Sequence, residues 1–507
     1  MRHLYLTFAA ALSVVIIAQP GGLARAQPIP DPARQPAVLN PSGESDDLLR
    51  GTVAATGAED TAEGPQGPDA GNSGLMLDAD GFPIDPLDAM RVTVIETDQA
   101  ALAARAQRPQ VTPPGDQPSE TDFVAERERP ELEPLGLRAG SFIIYAEVEA
   151  RVEATDNVFA VSTGRQGDVL YAVRPRLEAR SDWGRHELVI AYEGEFGVYD
   201  EFTTENPEEN EIRAAGRLDV SERTTLSAAA SFTEDQEGRG SAETSDTAAE
   251  PTMRRSYGVL GEASHRISRL TASLRGGLEV EDFENSREAG GGIIDNSDRD
   301  QTETAIGGRL AYQVSGSTTV YGDGEYLWRD HDRALDDDGF ARDAQRTTAS
   351  VGAVFQPRAP IRAAIEIGFV HEDLDDPRLE ALDEFTANAT LAWAVTPITT
   401  VNAGFETGFD STTIAGASGS VTRTVSVGVD HELTRNLVFS SLLSHEWNAY
   451  PGITLAEQTT NVSVDGEYWL NRHAALVGTY EHERQTTNDG TGTVSENVVS
   501  LGVRVRN

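Results

Sequence analysis

The chain has no cysteine and only four methionines among its 507 residues. Without cysteine, disulfide frameworks, thiolate metal sites and cysteine nucleophiles are all excluded. Beyond the N-terminus no apolar run reaches the ~20 residues a membrane helix needs. That excludes a helical membrane protein, but not a barrel, which leaves no hydropathy peak. Positive charge is scarce: 41 Lys+Arg stand against 83 Asp+Glu, a formal net charge of -42. Such a balance argues against binding DNA, RNA or anionic lipid through general electrostatics. The length would allow two or three soluble domains, yet only 38% of the residues are hydrophobic and the mean hydropathy is -0.38.

What the chain does have is alternation. Phe385, Ala387, Ala389, Leu391, Trp393 and Val395 interleave with Thr386, Asn388, Thr390, Ala392 and Ala394. After a turn at Thr396-Pro397-Ile398, Val401, Ala403, Phe405, Thr407 and Phe409 run back against Asn402, Gly404, Glu406 and Gly408. A period of two puts each set on its own face of a strand. One face is apolar with aromatics near its ends; the other is small, polar or acidic. In a soluble sandwich the apolar face packs a core, whereas in a membrane barrel it meets lipid.

At the N-terminus, Arg2 and His3 precede an apolar run over residues 4–18, and Ala24-Arg25-Ala26 is a small-x-small cleavage site. Residues 1–26 therefore read as a secretory signal peptide. Residues 27–139 are rich in Pro, Gly, Ala, Asp and Glu and poor in aromatics. Such a segment buries too little apolar surface to offset its ordering entropy. It reads as a largely disordered periplasmic segment, with at most a short helix near residues 97–107. A plug domain would need periodic strands and helices that are absent there.

From Ser141 onward the alternation recurs to the C-terminus, as in Phe142, Ile144, Ala146, Val148, Ala150 and Val152 against Glu147, Glu149, Arg151 and Glu153. The spacing predicts about eighteen strands over residues 140–507, each near the 9–11 residues that cross a bilayer at a tilt. Connectors alternate in length. Tight ones such as Ser221-Glu222-Arg223 and Asn471-Arg472-His473 separate long polar ones at 155–167, 200–209, 235–252, 282–301, 330–344, 373–383, 410–419, 448–457 and 485–495. That asymmetry of short periplasmic turns and long outer loops marks an outer-membrane barrel. The even count leaves both barrel ends on the short-turn side, where the tail begins. Most aromatics share the apolar parity, including Phe409; Tyr145, Tyr199, Tyr321 and Trp469 take the other. A bore of ~18 strands is too wide for side chains to fill, so the apolar face looks outward. The expected fold is an all-β, up-and-down antiparallel transmembrane barrel in a Gram-negative outer membrane, with lipid as its first partner.

The polar parity of the first four strands is segregated by charge. Glu147, Glu149 and Glu153 face Arg174, Arg176 and Arg180; Glu193 and Glu195 follow, then Arg213 and Arg217. These ten residues are the candidate pore lining. Facing acidic and basic ladders can set a transverse field that selects solutes; the plainer reading is a wall laced with cross-strand ion pairs. Further round, Glu279, Glu281, Asp323, Glu325, Glu366, Glu406, Asp465, Glu467, Glu481 and Glu483 make the lumen acidic, favouring cations or neutral solutes over anions. Asp330-His331-Asp332 and Asp336-Asp337-Asp338-Gly339 could offer oxygens to calcium, but their spacing does not fit a twelve-residue EF-hand loop. His371, His431, His445 and His482 sit on the outward parity and read as interfacial. No Ser-His-Asp spacing and no phosphate-cradling glycine loop is present. No catalytic residue, cofactor or metal is expected, and no enzyme activity.

The barrel's start resembles a known family. Pro134-Leu135-Gly136-Leu137-Arg138-Ala139-Gly140-Ser141-Phe142 leads into Ala154-Thr155-Asp156-Asn157-Val158-Phe159, then Asp168-Val169-Leu170-Tyr171, Pro175-Arg176-Leu177, Trp183-Gly184-Arg185-His186 and Glu250-Pro251-Thr252. These stretches resemble the "putative β-barrel porin type 2" family across about 134–507. The resemblance implies a large outer-membrane barrel, often linked to surface-polysaccharide secretion, with periplasmic polysaccharide-export proteins as partners. Two features depart from it. The chain ends Arg504-Val505-Arg506-Asn507, without the terminal aromatic read by barrel-insertion machinery, so insertion would use another signal. An acidic lumen would also repel an anionic polymer. The expected roles are an exopolysaccharide conduit, a general diffusion porin, or a structural or adhesive barrel without transport.

Overall fold

A computed structural model describes residues 123–507 apart from 128, 241–242, 245–247, 289, 357–359, 489 and 491. The expected signal peptide, the helix near 97–107 and most of the tail lie outside the described residues.

The long strands are β1 (Phe142–Thr155), β2 (Asp168–Ser181), β3 (Glu187–Tyr199), β4 (Glu208–Ser221), β5 (Thr224–Gln236), β6 (Met253–Ile267), β7 (Leu270–Phe283), β8 (Gln301–Ser315) and β9 (Thr318–His331). They continue as β10 (Ala344–Phe355), β11 (Ile361–Leu374), β12 (Leu382–Thr396), β13 (Thr399–Asp410), β14 (Ser420–Thr434), β15 (Leu437–Ala449), β16 (Ala456–Asn471), β17 (Ala474–Thr487) and β18 (Thr493–Arg506). Each pairs antiparallel with its chain neighbours. The cylinder closes where β1 meets β18, from Glu147 opposite Arg506 to Thr155 opposite Val498. Closure leaves no open sheet edge in the membrane, where an unpaired backbone group is costly.

β1 extends past the end of β18 on the short-turn side. There the short strand Leu137–Ala139 turns back at Gly140 (φ 64) and pairs with Phe142–Ile144, covering the edge that β18 no longer reaches. Five short turns follow a one-residue register shift, for example between Trp469 and Asn471. Such bulges let a tight turn match the twist of its strands.

The apolar parity faces out. Val148, Leu310, Ile365 and Leu501 are 46%, 59%, 54% and 70% exposed, although each sits mid-strand. An apolar surface encircling the whole molecule has one suitable solvent, the bilayer interior. Aromatics pair on this face near strand ends, as Tyr326 with Trp328 and Phe369 with Phe385. The polar parity is buried against itself on the concave side, where long arginines reach over an intervening strand. Arg275 of β7 meets Asp323 of β9 at 2.8 Å, and Arg504 of β18 meets Glu467 of β16 at 2.7 Å.

Phe409 departs from the expected parity. The β12–β13 ladder stops at Ala389 opposite Phe405. Beyond it, Thr407 donates its hydroxyl to the Ala387 carbonyl, and its backbone N–H donates to the Asn388 side chain at 3.1 Å. Side-chain groups thus replace ladder bonds and the strand end turns over. Phe409 is buried with Val370, Leu382 and Val421, away from lipid.

Candidate functional site: the charged inner wall and its two inserts

The chain contains no lysine, so each of its 41 basic residues is an arginine. Arginine stays charged, and its fork suits carboxylate pairing at low exposure. All ten candidate lining residues lie on the inner face, and most join ion pairs. Arg174 reaches Glu195 on β3 at 2.7 Å. Arg176 lies between Glu147 at 3.5 Å and Glu193 at 3.7 Å. Arg217 meets Glu187 at 3.3 Å. Arg180 pairs with Glu178 on its own strand at 3.2 Å and not with a β1 acid, and Arg213 pairs with Glu211 on its own strand. Glu149 and Glu153 share Arg151, at 2.8 and 3.7 Å.

Sequence reasoning missed Arg504, which organises the seam. It is 0% exposed and contacts Glu149 at 2.8 Å, Glu467 at 2.7 Å and Glu147 at 3.3 Å. Its position on the inward parity of β18 was the available signal. A second network joins Arg275, Arg309, Asp323, Glu325 and Glu366, with Tyr321 donating to Glu366 at 2.6 Å. A third ties Arg329 and Arg346 to Glu372, with Glu303 on the far side of Arg329. From β14 to β17 the inner wall changes character. Asp430, Glu446, Asp465, Glu481 and Glu483 lie there without an ion pair to arginine among the described residues, and Glu483 stands directly opposite Glu496. Facing carboxylates on neighbouring strands repel when both are ionised.

Two inserts narrow the bore. In the connector after β5, the described residues 237–240, 243–244 and 248–252 fold inward. Arg239 donates to Glu205 at 2.7 Å and to the Ala248 carbonyl at 2.6 Å. From there the connector crosses the interior: Glu243 accepts from the hydroxyls of Thr412 and Thr413, and Gln485 of β17 donates to the Gly240 carbonyl at 3.0 Å. Sequence alone shows a polar connector with no sign of its direction.

The other insert is a strap at the short-turn end. The sequence reads the tail as running to residue 139, yet residues 123–127 and 129–133 are packed on the inner wall. Phe123 and Val124 are 2% exposed each. Phe123 packs on Ala392 and Ala394 beneath the Arg362 guanidinium, 4.3 Å from its ring, and the Val124 N–H donates to Thr400 Oγ1 at 2.9 Å. Arg129 pairs with Glu432 at 2.9 Å. Leu132 lies against Trp469 and Ala475, and its carbonyl accepts from Arg506 at 2.7 Å. Trp469 was the inward-parity aromatic that could have pointed to a partner inside the wall. Burial of two apolar clusters and a charge pair holds this stretch, where composition alone predicts none.

The outer loops are held by their own charges. Asp336 accepts from Arg342 at 2.7 Å, and Arg333 pairs with Asp337 at 2.9 Å. Among the described residues no group of three or more His, Asp or Glu side chains could hold a metal ion. Burial, reinforced by Asp282, Asp332 and Asp298, lifts the Asp300 carboxyl to about 6. The outward histidines make interfacial bonds, as His371 does with Asp383 at 2.8 Å and His445 with Thr460 at 2.8 Å.

No curated protein matches the chain. Among solved structures, it is similar to OpdO of Pseudomonas aeruginosa at 16% identity and a TM-score of 0.40, over 72% of this chain and 97% of that one. OccAB3 of Acinetobacter baumannii is similar at 8% identity and a TM-score of 0.40, over 73% and 100%. The siderophore receptor PirA of Acinetobacter baumannii is similar at 5% identity and a TM-score of 0.38, over 71% and 80%. A family profile described as "Putative beta-barrel porin 2" matches residues 129–507. With barrel, lipid face and charged interior all contained in that span, the chain belongs to this family and is a porin-like β-barrel of the Gram-negative outer membrane.

Proposed function

We propose that the barrel is a restricted, water-filled channel for small neutral or cationic solutes. The observation that carries this reading is the inner wall: arginines neutralise one side in ion-pair networks, while on β14–β17 Asp430, Glu446, Asp465, Glu481 and Glu483 have no arginine partner among the described residues. Such a wall concentrates cations and repels anions. The described residues between 237 and 252 reach across the bore and those between 123 and 133 line its short-turn end, which favours small solutes over a polymer. Residues 1–26 would direct export as a cleaved signal.

The second reading is an exopolysaccharide conduit working with periplasmic export proteins. The strap supports it, because a partner acting at the short-turn mouth could move this insert aside. Planar-bilayer conductance separates the two. Steady currents from protein alone, with a reversal potential shifted toward cation preference in a salt gradient, fit the channel. Silence until a periplasmic partner is added fits the conduit, and anion preference would refute the selectivity argument.

A further inference from the structure

The inward connector does more than narrow the bore. It closes a pocket against β6–β9 and the β13–β14 loop, lined by Glu237, Glu243, Glu279, Glu281, Glu303 and Asp410 but only three arginines. We propose that this pocket binds an organic cation, a primary ammonium or guanidinium carried on a short apolar stem. The proposal deepens the channel reading by assigning its solute a resting place.

The pocket's charge is unbalanced by construction. Its three arginines are already engaged: Arg299 with Glu237 at 2.8 Å, Arg329 with Glu303 at 2.7 Å, and Arg254 with Asp235 at 2.6 Å and Glu281 at 3.9 Å. Glu303 stands directly opposite Glu279 on the neighbouring strand, and Glu281 lies two residues along on the same face. Among the described residues Glu279 keeps the Ser256 hydroxyl, at 2.9 Å, and no arginine within ion-pair distance. A lone buried carboxylate is expensive unless a cation compensates it.

An independent observation concerns Gln301. It is 7% exposed and spends its amide nitrogen on Glu281 at 2.5 Å, leaving its buried carbonyl oxygen without a donor among the described residues. A buried acceptor without a donor carries a desolvation penalty of its own. Glu279 and the Gln301 carbonyl therefore ask for the same thing, N–H donors with positive charge. The apolar part of such a ligand has a surface as well. Phe409, turned inward by the irregularity at Thr407, contributes its ring to the lining with the Arg346 guanidinium 5.9 Å from its centre, and an aromatic face attracts both alkyl stems and cations. Phe283 is already covered by Arg299, 3.9 Å from its ring centre.

The test is calorimetric titration of 1,4-diaminobutane into the full-length protein in detergent micelles, with L-glutamate as the anionic control. Saturable binding at one site is expected for the diamine and none for glutamate. Glu279→Gln should weaken it at least tenfold and Gln301→Met several-fold, whereas Glu446→Gln, on the remote acidic sector, should leave it unchanged. Gln301→Met conserves volume and serves if Glu279→Gln fails to fold. Absence of saturable binding, or equal losses in Glu279→Gln and Glu446→Gln, would overturn the site. Because micelles report binding without conduction, the outcomes separate cleanly. Binding without bilayer current sinks the channel reading alone; current without binding sinks the pocket alone.

Discussion

Replacing Arg504 by methionine tests whether ion pairing inside the barrel holds its seam. Arg504 is fully buried and touches Glu149, Glu467 and Glu147 at 2.8, 2.7 and 3.3 Å. Methionine fills much of the same volume but strips the charge. Glu149 then keeps Arg151 at 2.8 Å and Glu147 keeps Arg176 at 3.5 Å, while Glu467 loses the ion pair it had. Removing one partner of a buried pair costs roughly 3–5 kcal/mol, since the uncompensated charge remains. The residual arginines offset part of this, so about 3 kcal/mol is expected from the lower end of that range. The assay is equilibrium urea unfolding in lipid vesicles, read by tryptophan fluorescence. A second variant, Arg504→Met with Glu467→Gln, should recover more than half of the loss, because pair-for-neutral replacement is close to neutral. The reasoning fails if Arg504→Met alone unfolds within about 0.5 kcal/mol of the parent, the range of ordinary surface substitutions.

The strap makes a second prediction. In a chain without cysteine, Phe123→Cys with Ala394→Cys should form one disulfide that pins residues 123–133 to the wall. If the strap moves during gating, bilayer current should rise several-fold on reduction; identical current before and after would show that it is fixed. The third prediction concerns pH. Burial and neighbouring acids raise Asp300 to about 6. A carboxyl raised on folding contributes stability that is present below its ordinary pKa and is lost as pH rises through about 6. Residues 284–300 should therefore resist proteolysis better at pH 5 than at pH 7.5, and Asp300→Asn should remove the difference. An unchanged pH response in that variant would refute the assignment.

How much was legible beforehand follows from which signals are local. Strand number, the lipid face and the ten lining candidates rest on a period of two, which any sequence window displays. The inward parity of Trp469 and Tyr321 followed from the same rule, and both are buried inside. Pairing partners were less legible: Arg174 chose Glu195 and Arg180 chose Glu178, because twist and side-chain reach select among several nearby carboxylates.

Sequence by itself determined a closed antiparallel barrel, greasy outside and charged within, since alternation and connector length are written residue by residue. Only the tertiary structure decided what occupies the bore. The placements of the described residues within 237–252 and 123–133 depend on contacts with residues far away in the chain, Thr412 and Gln485 for one, Ala394 and Trp469 for the other. The turning of Phe409 likewise depends on a hydroxyl of β13 replacing a backbone bond to β12. Each is a long-range choice, and local periodicity carries no record of it.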